Sequence, residues 1–106
     1  MLPIKTSPAA DRDIDEQYDF LVVNAGLDKA VLFLEAVEET FQRLSVMPKI
    51  GSRPEFASSR FRNLRWWPIK DFGSVLIFYV ENKNYIYILR VLHRSRDIES
   101  ILSSKN

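Results

Sequence analysis

The chain has 106 residues, 46% of them apolar and 27% charged, with three Gly, five Pro, no Cys, one His and a formal net charge of +1. A length near 100 is one ordinary domain, and the composition is that of a folded chain, not of a disordered or low-complexity one. The lack of cysteine excludes a disulfide scaffold, a zinc ribbon, an iron–sulfur site and a thiol nucleophile, and the single His93 excludes a multi-histidine metal cage.

No metal or other cofactor is therefore expected. Nothing at the N-terminus reads as a signal peptide, since residues 11–19 already carry four Asp and one Glu. No apolar run approaches the roughly 18 residues of a membrane span, so a cytoplasmic location and no membrane partner are expected. The near-zero charge conceals a division. Residues 1–47 carry four Lys/Arg against nine Asp/Glu, a net −5, whereas residues 48–106 carry eleven against five, a net +6. One acidic and one basic face on a small domain suggest a polyanionic or acidic partner, although two solvated faces can also diverge without one.

Residues 2–6 alternate Leu2, Ile4 and Thr6 with Pro3 and Lys5 and read as an edge strand, where Pro3 needs no ladder hydrogen bond. Ser7-Pro8 then reads as N-cap and first helical residue. Ile14, Tyr18, Leu21, Val22 and Ala25 mark one face of that helix, which Gly26 stops. A second helix follows, with Asp28 as N-cap, Leu27 as hydrophobic staple and a buried stripe of Val31, Leu34, Val37, Phe41 and Leu44, widened by Ala30 and Phe33. It ends at Met47-Pro48. So short a connection makes the two helices an antiparallel hairpin.

Residues 49–59 read as a loop with Lys49 and Arg53 exposed. Residues 61–69 are strand-like, residues 70–73 a turn, and residues 75–80 (VLIFYV) a strand covered on both faces. Residues 85–92 (YIYILRVL) form its hairpin partner, and a last helix begins near Ser95 or Asp97 with Ile98, Ile101 and Leu102 inward. The order β-α-α-β-β-β-α defines an α+β domain, an antiparallel meander sheet with the helical hairpin on one face, and no second domain is visible.

Several residues carry possible chemistry. Asp11, Asp13, Asp15 and Asp19 do not converge on one ion and read as a solvated helix start. Arg62 and Arg65 lie beside Trp66 and Trp67, a pairing suited to phosphate neutralisation with base stacking. Alternation sends the two tryptophans to opposite faces, so only one is expected in the core. Arg90 interrupts an apolar strand and must lie at an open face or pair with a carboxylate, for which Asp97 and Glu99 are near in sequence. His93 stands at a strand exit beside Arg94 and Arg96. A neutral imidazole there is placed for general-base work, with the arginines stabilising an anionic transition state; a solvated turn histidine is the simpler account.

This order of elements and the segment R-V-L-H-R-S-R-D-I at residues 90–98 resemble the RelE/ParE toxin superfamily of bacterial type II toxin–antitoxin systems. Further pieces of the resemblance are S-P-A-A-x-x-D (residues 7–13), F-x-x-L-x-x-x-P-x-x-G (41–51), N-L-R (63–65) and an aliphatic strand ending in Tyr79. The resemblance implies a cytoplasmic toxin restrained by a cognate antitoxin that is short, acidic and DNA-binding. RelE-like members are ribosome-dependent, metal-independent messenger RNA endoribonucleases; ParE-like members poison DNA gyrase. R-V-L-H-x-x-R-D is most similar to the ParE and plasmid-stabilisation branch, and no Tyr follows Tyr87, where RelE-like nucleases carry one in the final helix near Ser100.

Gyrase inhibition is thus the first expectation. Ribonuclease action through Arg65, His93, Arg94 and Arg96, with ribosome and messenger RNA as partners, is the second. A toxin-fold remnant that only binds a partner is the third. On this reading the basic, aromatic side of the sheet and the C-terminal segment are expected to engage the target through Arg62, Arg65, Trp67, Arg90, His93, Arg94 and Arg96, of which the resemblance itself matches Arg65, His93 and Arg94 or Arg96. The groove of the helical hairpin, near Leu21, Val22, Val31, Leu34, Phe41 and Leu44, is expected, together with the sheet, to receive an antitoxin segment as an amphipathic helix or an added strand.

Overall fold

In the computed structural model, which describes residues 1–56 and 62–103, the elements run β1 (Ile4–Thr6), α1 (Pro8–Ala25), α2 (Leu27–Val46), β2 (Leu64–Ile69), β3 (Phe72–Glu81), β4 (Ile86–His93) and α3 (Ile98–Ser103). The expected order is the observed one. Ser58, Ser59, Arg60 and Phe61, at the end of the expected loop and the start of the expected strand, lie outside the described residues.

The start of α1 is set by Ser7, whose Oγ accepts from the Ala10 N–H (2.9 Å) and donates to the Leu89 carbonyl (2.7 Å). One side chain thereby caps the helix and ties it to β4. Gly26 alone separates α1 from α2. Its φ of 95° suits a residue without Cβ. It also takes the N-cap position of α2 with no side-chain cap, so Asp28 lies in the first turn rather than at the cap. Leu27 is exposed and forms no staple.

The sheet order is β1-β4-β3-β2. β2, β3 and β4 form the expected antiparallel meander, while β1 pairs parallel with β4, Ile4 opposite Ile86 and Thr6 opposite Ile88. The turn from β2 to β3 is shorter than expected. Lys70 and Asp71 suffice, with Asp71 at φ 66°, a left-handed conformation that aspartate tolerates. Residues 75–79 of β3 are all buried, as a strand covered on both faces requires.

The helix-facing core gathers Ala10, Leu21, Ala30, Phe33, Val37 and Leu44 against Ile69, Ile77, Tyr79, Ile86, Ile88 and Val91. Phe33 meets Phe72 edge-on at 5.3 Å. The other face carries a smaller cluster of Leu64, Leu76, Phe78 and Leu92 under Ile98, Ile101 and Leu102 of α3. Apolar cover on both faces overturns the expectation that only one tryptophan is core. Trp67 packs toward the hairpin and Trp66 into the smaller cluster.

The expected stripe of α2 is corrected in the same way. Buried Ala30, Phe33, Val37, Thr40 and Leu44 form one stripe, and Leu27, Val31, Leu34, Glu38, Phe41 and Ser45 form another, about 100° around the helix axis at 3.6 residues per turn. The sheet takes the first, in which the Thr40 hydroxyl donates to the Ala36 carbonyl (2.7 Å) and accepts from the Lys70 N–H (3.1 Å). Val31 and Leu34 remain exposed on the second. Among the described residues, no helix is long and apolar enough to cross a membrane.

Candidate partner and target surfaces

The first surface is the outer side of the hairpin. Of the six residues assigned to antitoxin binding, Leu21 and Leu44 are buried in the core and cannot be reached by a partner without unpacking it. Phe41 is half-buried, and Val22, Val31 and Leu34 are exposed. Phe20 (58%), Val23 (82%), Leu27 (58%) and Leu32 (54%) join them, so large apolar side chains concentrate around the helix–helix turn. Periodicity alone did not single these out, because it reports which positions are apolar and not which stripe the sheet has already used.

The second region is a latch between the sheet and the segment that follows α2. Tyr79 is fully buried; its hydroxyl donates to the Pro48 carbonyl (2.8 Å) and accepts from the Gly51 N–H (3.0 Å). Burial raises the phenol above its ordinary value of 10, opposed by the Gly51 hydrogen bond and the nearby Arg65 charge. A Cβ on Gly51 would stand 2.5 Å from the Tyr79 hydroxyl and 2.9 Å from the Trp66 carbonyl, so this close approach demands glycine. Arg65, directly across from Tyr79, donates to the Gly51 carbonyl (2.9 Å) and more weakly to that of Lys49 (3.3 Å). The residues of F-x-x-L-x-x-x-P-x-x-G, N-L-R and the strand ending in Tyr79 thus meet in space.

Beside this latch, Lys49, Arg53, Arg65 and Lys83 line a groove of about 440 Å³ with Glu81 as its one acidic member. Only Arg65 of these was expected at a site, because the convergence depends on two loops far apart in sequence. Arg62 is exposed, and its carbonyl accepts from the Arg53 guanidinium.

Arg90 has a different partner from the two proposed by proximity. Its guanidinium makes a two-point ion pair with Asp13, Nε to Oδ2 at 2.7 Å and Nη2 to Oδ1 at 2.8 Å. Oδ2 of Asp13 also accepts from the Val91 N–H at 2.9 Å. Asp13 is buried, not a solvated residue of the helix start, and its hydrogen bond holds the Arg90 guanidinium still more firmly protonated. The motif S-P-A-A-x-x-D therefore closes on R-V-L-H, and Arg90 serves the fold before any target. Trp67, likewise assigned to the target, is packed partly against the helix-facing core.

His93 ends β4 and is exposed. Its Nδ1 accepts from the Ser95 N–H (3.1 Å) and lies 2.8 Å from the Ser95 hydroxyl, which leaves Nε2 on the solvent side. Arg94 donates to the Gly73 carbonyl (3.1 Å), Arg96 is exposed, and Asp97 caps α3 through the Ser100 N–H (3.4 Å). Arg65 does not share this corner. It pairs with Tyr79 and His93 with Val75, four residues apart on β3 and on its two different neighbours, about 13 Å along the strand and roughly 10 Å across it. Among the described residues, no group of three or more His, Asp or Glu is placed to hold a metal ion.

The Tyr79 latch and the Asp13/Arg90 pair thus join the motif residues on a four-stranded α+β domain with a helical hairpin on one face. The sequence model of the ParE toxin of the type II toxin–antitoxin system parDE matches residues 4–98, and the chain belongs to that family. Toxin ParE1 of two Mycobacterium tuberculosis strains is 29% identical over 94 residues, spanning 88% of this chain and 90% of each relative. A chain of the chromosomal ParDE system from P. aeruginosa has the same fold, with TM-score 0.71, 23% identity and coverage of 88% of this chain and 96% of that one. A mutant toxin from Helicobacter pylori is more distant, with TM-score 0.54, 20% identity and coverage of 90% and 97%.

Proposed function

We propose that this protein is a growth-inhibiting toxin that acts in the cytoplasm on DNA gyrase and is silenced by a cognate antitoxin. The observation that carries the choice of target is the separation of Arg65 from His93, Arg94 and Arg96. Metal-free cleavage of RNA by attack of a 2′-hydroxyl needs a base and cationic groups around one phosphate, within a few ångströms of each other. Here Arg65 is spent on backbone carbonyls at one end of the sheet while the histidine lies at the other. A toxin that works by binding needs no such convergence.

Silencing is assigned to the apolar outer stripe of the hairpin, where Val22, Val31 and Leu34 stand exposed for an amphipathic helix. Lys49, Arg53, Arg62 and the arginines after β4 supply basic surface for the target.

The ribonuclease reading keeps one supporting observation. His93 is exposed with Nδ1 engaged by Ser95, which leaves Nε2 open for proton transfer, one and three residues from Arg94 and Arg96 in sequence. Induced expression without an antitoxin separates the possibilities. Filamentation, together with loss of supercoiling by purified gyrase when the chain is added, supports the proposal. Immediate translational arrest with mapped messenger RNA cuts replaces it with the ribonuclease reading, and normal growth with a binding-only remnant.

A further inference from the structure

Two cations of this fold are neutralised by carboxylates, Lys70 by Glu39 at 3.2 Å and Arg90 by Asp13 at 2.7 Å. The four that line the groove beside the Tyr79 latch are not. Lys49 and Arg53 reach it from the segment after α2, Arg65 from β2 and Lys83 from the turn between β3 and β4. Glu81 is the one carboxylate along it, and among the described residues none of the four forms an ion pair with it. A space of about 440 Å³ therefore gathers four positive charges against one negative, a net +3, in a chain whose formal net charge is +1.

The remaining polar groups call for a ligand that only accepts hydrogen bonds. Arg65 gives Nη1 to the carbonyls of Gly51 and Lys49, which fixes its guanidinium plane. One edge of the fork, Nε–H and Nη2–H, is left without an acceptor among the described residues. Asn82 spends its Oδ1 on the N–H groups of Asn84 (2.8 Å) and Tyr85 (2.9 Å), so its side chain keeps only donors. Lys49 and Lys83 are exposed, and neither ammonium has a partner among the described residues.

No apolar or aromatic side chain lines the groove. A protein segment would find no pocket there for the apolar or aromatic anchor that carries most of the binding energy at protein interfaces. Interfaces with nucleic acid are polar and strongly positive. A base has no ring to stack on, because Trp66 and Trp67 are packed against the two cores. What the groove can hold is a chain of phosphates.

We infer that this groove seats the phosphodiester backbone of DNA, held by charge and N–H donors and blind to base sequence. The choice of DNA rests on the gyrase reading above, in which the target itself works on DNA; the seat rests on the groove alone. Glu81 repels the same phosphates and keeps the seat weak.

The test is fluorescence anisotropy of the purified chain with labelled 20-base-pair duplexes of two unrelated sequences, between 50 and 200 mM salt. Both duplexes should bind alike. The logarithm of affinity against that of salt should have a slope of about −3, roughly a sixtyfold loss over that range. Lys49→Ala and Lys83→Ala should each reduce the slope by about one while melting like the parent. Lys29→Ala, a charge beside Phe72 at the far end of β3, should leave it unchanged. Glu81→Gln should tighten binding by about threefold.

A slope that moves with Arg94→Ala and Arg96→Ala but not with the two lysines places DNA at the other corner and overturns the proposal. So does equal displacement by oligoglutamate, which makes an acidic protein segment the occupant. Equal displacement by tripolyphosphate, or tighter binding of an RNA duplex, reassigns the phosphates to those sources and overturns the choice of DNA. Gyrase supercoiling, assayed in parallel, separates this inference from the reading it rests on. A chain that inhibits gyrase yet binds no DNA in a salt-dependent way overturns the seat and leaves that reading standing. A chain that binds DNA through the two lysines and leaves gyrase untouched overturns the gyrase reading and keeps the seat.

Discussion

Arg65 and Arg90 lie within strands, and Arg94 and Arg96 lie just beyond one; in sequence all four look like candidates for an anionic target. In the folded chain they divide. Arg65 is turned onto carbonyls of the segment after α2, and Arg90 is clamped by a buried carboxylate. Arg94 and Arg96 stay exposed, with a single weak hydrogen bond from the Arg94 side chain. A guanidinium partly buried in a sheet needs acceptors from the fold itself, because water solvates only part of it. One outside the sheet has no such obligation and is free to meet a partner. The first pair should govern stability and the second function.

The sharpest way to break that division is Asp13→Ala. It removes both halves of the two-point ion pair and leaves the Val91 N–H without a partner. Loss of one member of a fully buried pair costs about 3–5 kcal/mol, and because Arg90 is a quarter exposed we expect about 3 kcal/mol. For a chain of this size the melting temperature should fall by roughly 15 °C. A drop of only a degree or two in a thermal melt would show that the pair is ornamental and that Arg90 is available to a target.

Gly51→Ala should follow closely. Its Cβ would lie 2.5 Å from a buried hydroxyl and 2.9 Å from a backbone carbonyl, and forced expansion of such a contact costs about 1–3 kcal/mol. Tyr79→Phe keeps the shape and deletes only the hydroxyl, which strands the Gly51 N–H and the Pro48 carbonyl for about 1–2 kcal/mol.

The tyrosine also carries a pH signature. Folding raises its pKa, so its contribution is fully present below the ordinary value of 10 and is lost as the pH rises through the folded value. Denaturant melts of the two proteins should therefore differ by a constant amount at neutral pH and draw together above pH 10. A gap that widened there would reverse the assigned sign.

The same division explains how far the sequence could be read. Element order was legible because its signals are local: Ser7-Pro8 opens α1, Gly26 parts the helices, six consecutive apolar residues (75–80) demand a strand covered on both sides, and the segment from Ser95 to Asp97 opens α3. The Asp13/Arg90 pair was not, since its members stand 77 residues apart while Asp97 and Glu99 stood nearby as decoys. The stripe of α2 was half legible. Val31 and Leu34 lie at helical spacing from Val37 and Leu44, yet on a different side of the cylinder from the one that Phe33 anchors in the sheet. The parallel seat of β1 on β4 has no local signal at all.

The smallest effect on stability should come from the residues with the largest effect on activity. Replacing both Arg94 and Arg96 by Ala removes two exposed charges and one 3.1 Å hydrogen bond to the Gly73 carbonyl, a change expected within about 0.5 kcal/mol. If that corner meets the target, the double variant should melt like the parent and still fail to arrest growth when expressed without antitoxin. His93→Ala divides the outcome further. A toxin that works by binding needs the imidazole only for the turn it makes with the Ser95 N–H, so growth arrest should persist. A ribonuclease that uses Nε2 as its base should lose most of its activity. Arrest abolished by the histidine and retained by the arginine pair would invert the division from which these predictions follow, placing the chemistry on a single side chain and returning the arginines to the role of solvating the surface.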